Sequence, residues 1–232
     1  MENVTTQRWT TARFQTAPRV LNGVLSRVEK RTLVWLACRM PRWVNSDHLT
    51  ALALVAMAGA GAAYAGARMT RAGLLVAIAC LAINWFGDSL DGTLARVRDR
   101  QRPRYGFYVD HVVDCIGAVF LFGGMALSGY INTWLAVAIL IVYLLLSAEA
   151  FLATYCVGTF TISTWGFGPT ELRILLSIGN LAVFFNPMTN ALGKTIRVFD
   201  LGGVIAVVCL VAALLTRTIA HTRVLYRAER LR

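Results

Sequence analysis

The stretch GLLVAIACLAINWFGDSLDGTLAR, residues 73–96, begins as an apolar run and ends in two aspartates, a glycine and an arginine. Residues 73–87 carry no charge; as a helix they would cover about 22 Å, most of the hydrocarbon core of a bilayer. Five further apolar segments lie at 49–67, 106–129, 131–157, 170–185 and 201–220. Six spans take roughly 120 residues. That arithmetic fits a chain of 232 residues of which 57% are hydrophobic, only 15% are charged, and mean hydropathy is +0.59. The expected fold is an all-α integral membrane protein with six transmembrane helices. A soluble globule, a disordered chain and an ordinary nucleic-acid-binding domain are excluded by the same numbers.

The charge is +11, from 23 basic and 12 acidic residues. The basic residues sit beside apolar runs, where they orient helices and meet anionic lipid rather than nucleic acid. With the N-terminus in the cytoplasm, 19 Lys and Arg fall on the cytoplasmic side, against four (Arg68, Arg71, Lys194 and Arg197) outside. Six spans then place both termini in the cytoplasm. Residues 1–18 read as a polar tail without the apolar core of a cleavable signal peptide. Residues 19–43 alternate apolar positions with Arg27, Lys30, Arg31, Arg39 and Arg42 and read as an amphipathic interfacial helix, a solvated arm being the alternative. Residues 44–222 form one domain without internal repeats, and 223–232 a basic tail. The five cysteines are scattered through mostly apolar segments and support neither a disulfide framework nor a zinc site.

Acids inside spans are costly and normally face a polar cavity. Asp88 and Asp91 are three apart at the end of the second span, and Asp110 and Asp114 four apart at the start of the third. Each pair therefore shares one helix face. Four converging carboxylates need positive charge, and an all-oxygen donor set suits Mg²⁺ or Mn²⁺, with room for two ions. Paired ions of this kind clamp phosphoryl oxygens. Gly92 leaves the backbone open to a ligand, and Ala95 and Arg96 lie one turn on. A proton relay or ion pathway is the competing reading, but it has no need of Gly92 and Arg96.

Asp88-Ser-Leu-Asp91-Gly92-Thr-Leu-Ala95-Arg96, followed by Gly106-Phe-Tyr-Val-Asp110-His-Val-Val-Asp114, resembles the signature of the CDP-alcohol phosphotransferase (CDP-alcohol phosphatidyltransferase) family. The signature is D-x2-D-G-x2-A-R-x8-G-x3-D-x3-D, and the one departure is nine residues rather than eight between Arg96 and Gly106. The resemblance implies a membrane-bound transferase of phospholipid biosynthesis. Such an enzyme moves the phospho-alcohol part of a CDP-alcohol onto an acceptor hydroxyl and releases CMP. It implies that Asp88, Asp91 and Asp110 hold the metals, that Asp114 is a ligand or the base, and that Gly92, Ala95 and Arg96 lie against the cytidine diphosphate. Ser46-Asp47-His48-Leu49-Thr50 is similar to the family's Pro-Asn-x-Leu-Thr entry to the first span, which adds nucleotide contacts from Asp47 and Thr50.

For the acceptor, the pairs Asp110-His111 and Thr170-Glu171 are similar to those of the choline/ethanolamine phosphotransferase branch, whose His and Glu deprotonate a diacylglycerol hydroxyl. The same His can instead pack, and the same Glu can pair with Arg173. Glu149 in the fourth span is a weaker candidate for the acceptor or headgroup cavity. Arg173 is the one basic residue near the metals in the later spans, a poor provision for a phosphorylated acceptor. This tilts the reading toward a CDP-amino-alcohol donor with diacylglycerol, the alternative being a CDP-diacylglycerol-dependent synthase of phosphatidylglycerol-phosphate, phosphatidylserine or phosphatidylinositol-phosphate type. Expected partners are the CDP-alcohol, a lipid or polar-alcohol acceptor and membrane lipid, in an architecture that leaves room for a homodimer.

Overall fold

The computed structural model describes residues 26–158, 168–191 and 193–229; the expected tail at 1–18 and the start of the expected interfacial helix lie outside them. The described residues form α1 (Ser26–Arg39), α2 (Ser46–Ala67), α3 (Ala72–Val97), α4 (Pro103–Leu127), α5 (Thr133–Cys156), α6 (Pro169–Phe185), β1 (Met188–Ala191), β2 (Lys194–Arg197) and α7 (Val198–Ala228). The all-α membrane architecture expected from the sequence is what is found. Five helices, α2 to α5 and α7, are long and apolar enough to cross a membrane. The sixth expected span corresponds to α6, whose 17 residues reach about 25 Å, short of a ~30 Å hydrocarbon core. Even so, α6 runs antiparallel along α3. Its Arg173 meets Asp88 near one end of α3, and its Phe184 carbonyl accepts from Arg71 Nη1 (3.4 Å) at the other.

Helix α2 is the central element, packed on both α3 and α4. Its face is made of small residues, with Ala53, Ala56, Ala60, Gly61 and Ala67 all buried. Small residues let membrane helices close to backbone contact, where dispersion does the work that the hydrophobic effect does in water. A Cβ on Gly87 of α3 would sit 2.6 Å from the Leu49 carbonyl oxygen, and one on Gly73 would sit 2.5 Å from that of Ala63. On the other side, Gly61 and Gly124 meet across α2 and α4; a methyl on Gly61 would strike the Phe120 carbonyl and one on Gly124 the Gly61 carbonyl.

The remaining helices extend this three-helix unit: α5 packs on α4 and α7, and α6 on α3 and α7. Polar contacts fix the order. The Asn180 amide of α6 donates to the buried Tyr64 hydroxyl (2.8 Å), the backbone N–H of Asn132 donates to Asp200 Oδ1 (2.6 Å), and Glu149 of α5 meets His221 Nδ1 of α7 (2.5 Å). Glu149, a candidate for the acceptor cavity by sequence, is thus turned toward α7. The antiparallel hairpin β1–β2, closed around Gly193 at φ +73°, was not expected from the sequence. The five cysteines are free.

These contacts predict unequal costs for one added methyl. Gly124→Ala should destabilise the protein by about 1–3 kcal/mol, the usual cost of overpacking, whereas Gly66→Ala, with open space around it, should be neutral or better. Thermal unfolding in one detergent checks the ranking.

Candidate active site

Helix α3 carries the first half of the motif to its C-terminal turns, and a five-residue turn, 98–102, leads into α4. Asp99 in that turn has φ +51°, a left-handed conformation that aspartate tolerates better than most residues. Pro103 then opens α4, supplying the fixed φ that a first helical turn needs. The motif's nine-residue spacer is therefore this turn flanked by four helical residues, 97 and 103–105, and the antiparallel α3 and α4 bring the two aspartate pairs to the same end of the bundle.

One carboxylate oxygen from each of Asp88, Asp110 and Asp114 lies within 4.8 Å of the others. Asp91 is not part of that trio. Its side chain is buried, and Oδ2 accepts from the Thr50 hydroxyl at 2.6 Å. Its Oδ1 accepts from the Gly92 N–H, and Ser46 Oγ donates to its carbonyl at 3.1 Å. The start of α2 therefore holds Asp91 in place. The trio is partly compensated by Arg173, whose Nη2 donates to Asp88 Oδ2 at 2.5 Å. Arg173 is itself aimed by Asn84, which accepts from its Nε at 2.8 Å and donates to the Ala53 carbonyl at 3.0 Å. One guanidinium among three converging carboxylates leaves a deficit of positive charge. Hard oxygen donors at this separation fit a divalent cation such as Mg²⁺ or Mn²⁺.

The other expected residues are placed as follows. Arg96 folds back on its own helix, Nη2 donating to Thr93 Oγ1 at 3.0 Å. His111 is buried on α4, its Nδ1 3.5 Å from Asp110 Oδ2, with its ring stacked on Phe107 (4.2 Å between centroids) and tilted against Phe151 of α5 (5.1 Å). Glu171 caps α6, Oε2 accepting from the Gly168 N–H at 3.0 Å. Asp47 pairs with Arg102 at the surface, tying the start of α2 to the start of α4. Residues missed by the sequence reading are Asn84, Ser46, Arg98 and Tyr143. The last belongs to α5, its ring tilted against Phe122 of α4 with 6.4 Å between centroids. Asn84 left a trace in the sequence, as an amide in an apolar run one helical turn before Asp88.

The motif glycines differ from the packing glycines. A Cβ on Gly92 would meet only Arg96 Nη1 at 3.5 Å, an ordinary contact, and one on Gly106 would meet nothing within 4 Å. Glycine costs a helix about 0.5–1 kcal/mol relative to alanine. Nothing among the described residues explains that cost at these two positions, whereas a ligand lying against the backbone would.

A sequence model of the CDP-alcohol phosphatidyltransferase family matches residues 43–218, most of the chain. The chain belongs to that family, membrane transferases that move phosphate-linked alcohols from CDP-alcohols in phospholipid synthesis. Among curated proteins no match was found.

The contrast between the two kinds of glycine is open to measurement. Gly92→Ala should keep or raise the melting temperature while weakening CDP-alcohol binding at least tenfold. Calorimetric titration beside a melting curve checks both halves.

Proposed function

We propose that the chain transfers the phospho-alcohol group of a CDP-amino-alcohol to the hydroxyl of diacylglycerol, releasing CMP. The observation that carries this reading is the trio Asp88, Asp110 and Asp114, with carboxylate oxygens within 4.8 Å of one another, one helical turn from glycines that packing does not require. Asp88, Asp110 and Asp114, with Asp91 beside them, would hold two divalent ions, Mg²⁺ or Mn²⁺. Bound there, such ions supply charge neutralisation of the diphosphate and stabilisation of the departing phosphate of CMP.

The chain's own residues do the rest. Thr50 fixes the Asp91 carboxylate, and Ser46 its backbone. Gly92 and Ala95 leave room for the cytidine diphosphate along α3, with Arg96 beside it as counter-charge and Asp47 at the edge of the nucleotide. The acceptor oxygen attacks the phosphorus that bears the alcohol, and the P–O bond to CMP breaks. The hydroxyl proton passes to a base, either Asp114 or His111, whose imidazole is aligned by Asp110 and two aromatic rings. Glu171 assists from the first turn of α6. Arg173, engaged by Asp88 and Asn84, is committed to the site's own charge, which favours an acceptor without a phosphate over the phosphorylated acceptors of the phosphatidylglycerol-phosphate and phosphatidylinositol-phosphate types. The site faces the cytoplasm, as do both termini, on the 19-to-4 distribution of basic residues.

Two experiments test this. CMP release from the purified protein should vanish in excess chelator and return with Mg²⁺ or Mn²⁺, with a CDP-amino-alcohol and diacylglycerol outperforming CDP-diacylglycerol with any polar alcohol; release that survives chelation sinks the metal assignment. Turnover and Mn²⁺ affinity in two variants then locate the base. If His111 is the base, His111→Ala lowers turnover about 10²–10⁴-fold at unchanged Mn²⁺ affinity, and Asp114→Asn weakens both. If Asp114 is the base, His111→Ala stays within a few fold, and Asp114→Asn abolishes turnover with Mn²⁺ affinity little changed.

A further inference from the structure

Helix α1 gives one face to the bundle and leaves another open. Leu33 and Ala37 are buried in a cluster with Leu90 and Leu94 of α3. Lys30, Arg31, Trp35 and Arg39 are exposed, Trp35 by 55%. The Arg39 guanidinium lies 3.8 Å from the centre of the Trp35 ring, so cation and indole are displayed together. Arg42 and Trp43, the latter 74% exposed, continue the strip beyond the helix.

We propose that this strip binds the headgroups of anionic phospholipids in the surrounding membrane, and that its occupancy steadies the metal-holding end of the bundle. Charge and amphipathicity identify the occupant. Four cations alternate with two exposed tryptophans, a residue that settles at the headgroup level of a bilayer, on a segment that lies where an interfacial helix would. The coupling runs through hydrogen bonds. Arg98, at the end of α3, donates to the carbonyls of Met40 (2.9 Å), Pro41 (2.9 Å) and Val44 (2.5 Å), pinning the end of α1 and the turn after it. Ser46, two residues past Val44, donates to the Asp91 carbonyl, and Thr50 to its carboxylate. A shift of α1 therefore reaches Asp91 through five hydrogen bonds, three from Arg98 and two to Asp91.

The inference goes beyond the proposed reaction and does not depend on which CDP-alcohol is used. The test places the full chain in nanodiscs of phosphatidylcholine, with and without phosphatidylglycerol. Hydrogen–deuterium exchange over residues 33–45 is followed without substrate, and CMP release is measured separately. Phosphatidylglycerol should slow exchange in that segment and raise CMP release, and high salt should reverse both. Each cation near an anionic surface is worth roughly fivefold in affinity. The triple variant K30Q/R31Q/R39Q should therefore retain phosphatidylglycerol roughly a hundredfold less well in native mass spectrometry, while releasing CMP normally in phosphatidylcholine. R98A should retain the lipid but lose the gain in CMP release. Identical exchange in the two nanodiscs overturns the proposal. So does exchange indifferent to phosphatidylglycerol but altered by removing residues 1–25, since the chain itself would then cover the strip. An R98A protein that keeps the full gain overturns the coupling. Because exchange is read without substrate, a failure of the transferase reading leaves the lipid result intact.

Discussion

Glycine contact between helix backbones is the constraint on which this protein rests. The trio of aspartates comes from α3 and α4, and the hydroxyls that hold Asp91 come from α2, so three helices must approach closely. They do so where Gly61 meets Gly124 and where Gly87 meets the Leu49 carbonyl. In a membrane no hydrophobic force drives such an approach, because lipid tails are as apolar as the helix faces. Close packing of small residues supplies it. The acidic end is then set by rigid helices rather than loops, which suits a site whose ligands must hold their separation.

Electrostatics forms the second layer. Asp88 is met by Arg173 of α6, Asp47 by Arg102, and Glu149 by His221, so each of these acids has a basic partner from another segment. At the trio, by contrast, three carboxylates gather around the Arg173 guanidinium. That imbalance distinguishes a site from a set of structural ion pairs, and the family's metal-dependent chemistry is consistent with it.

Much of this was legible in the sequence. The spacings of three and four between aspartates are helix periods, so shared faces followed from local geometry alone. The start of α6 was equally plain: Gly168 at the N-cap, Pro169 in the first turn and Glu171 three residues on are start signals of a helix. That same local role for Glu171 complicates its reading as a base. What the sequence hid was non-local. Asn84 reaches Arg173 across 89 positions, and Arg98 reaches Val44 across 54, with nothing in either neighbourhood to name the partner. The β1–β2 hairpin escaped because four-residue strands are too short to show a period. The count of spans was blurred for a related reason, since α6 is apolar but has only 17 residues.

The pairing of Asp88 with Arg173 bears on how the chain is made. Synthesis proceeds from the N-terminus, and Arg173 follows Asp114, the last motif acid, by 59 positions. At about 5–20 residues per second, the ribosome needs roughly three to twelve seconds to bridge that gap. For that time the α3–α4 hairpin exists without its guanidinium. Its carboxylates must enter the lipid protonated, or bound to a cation from the cytosol, or must wait at the insertion channel until α6 emerges. The charge that equips the finished enzyme is thus also a hurdle in its own biogenesis.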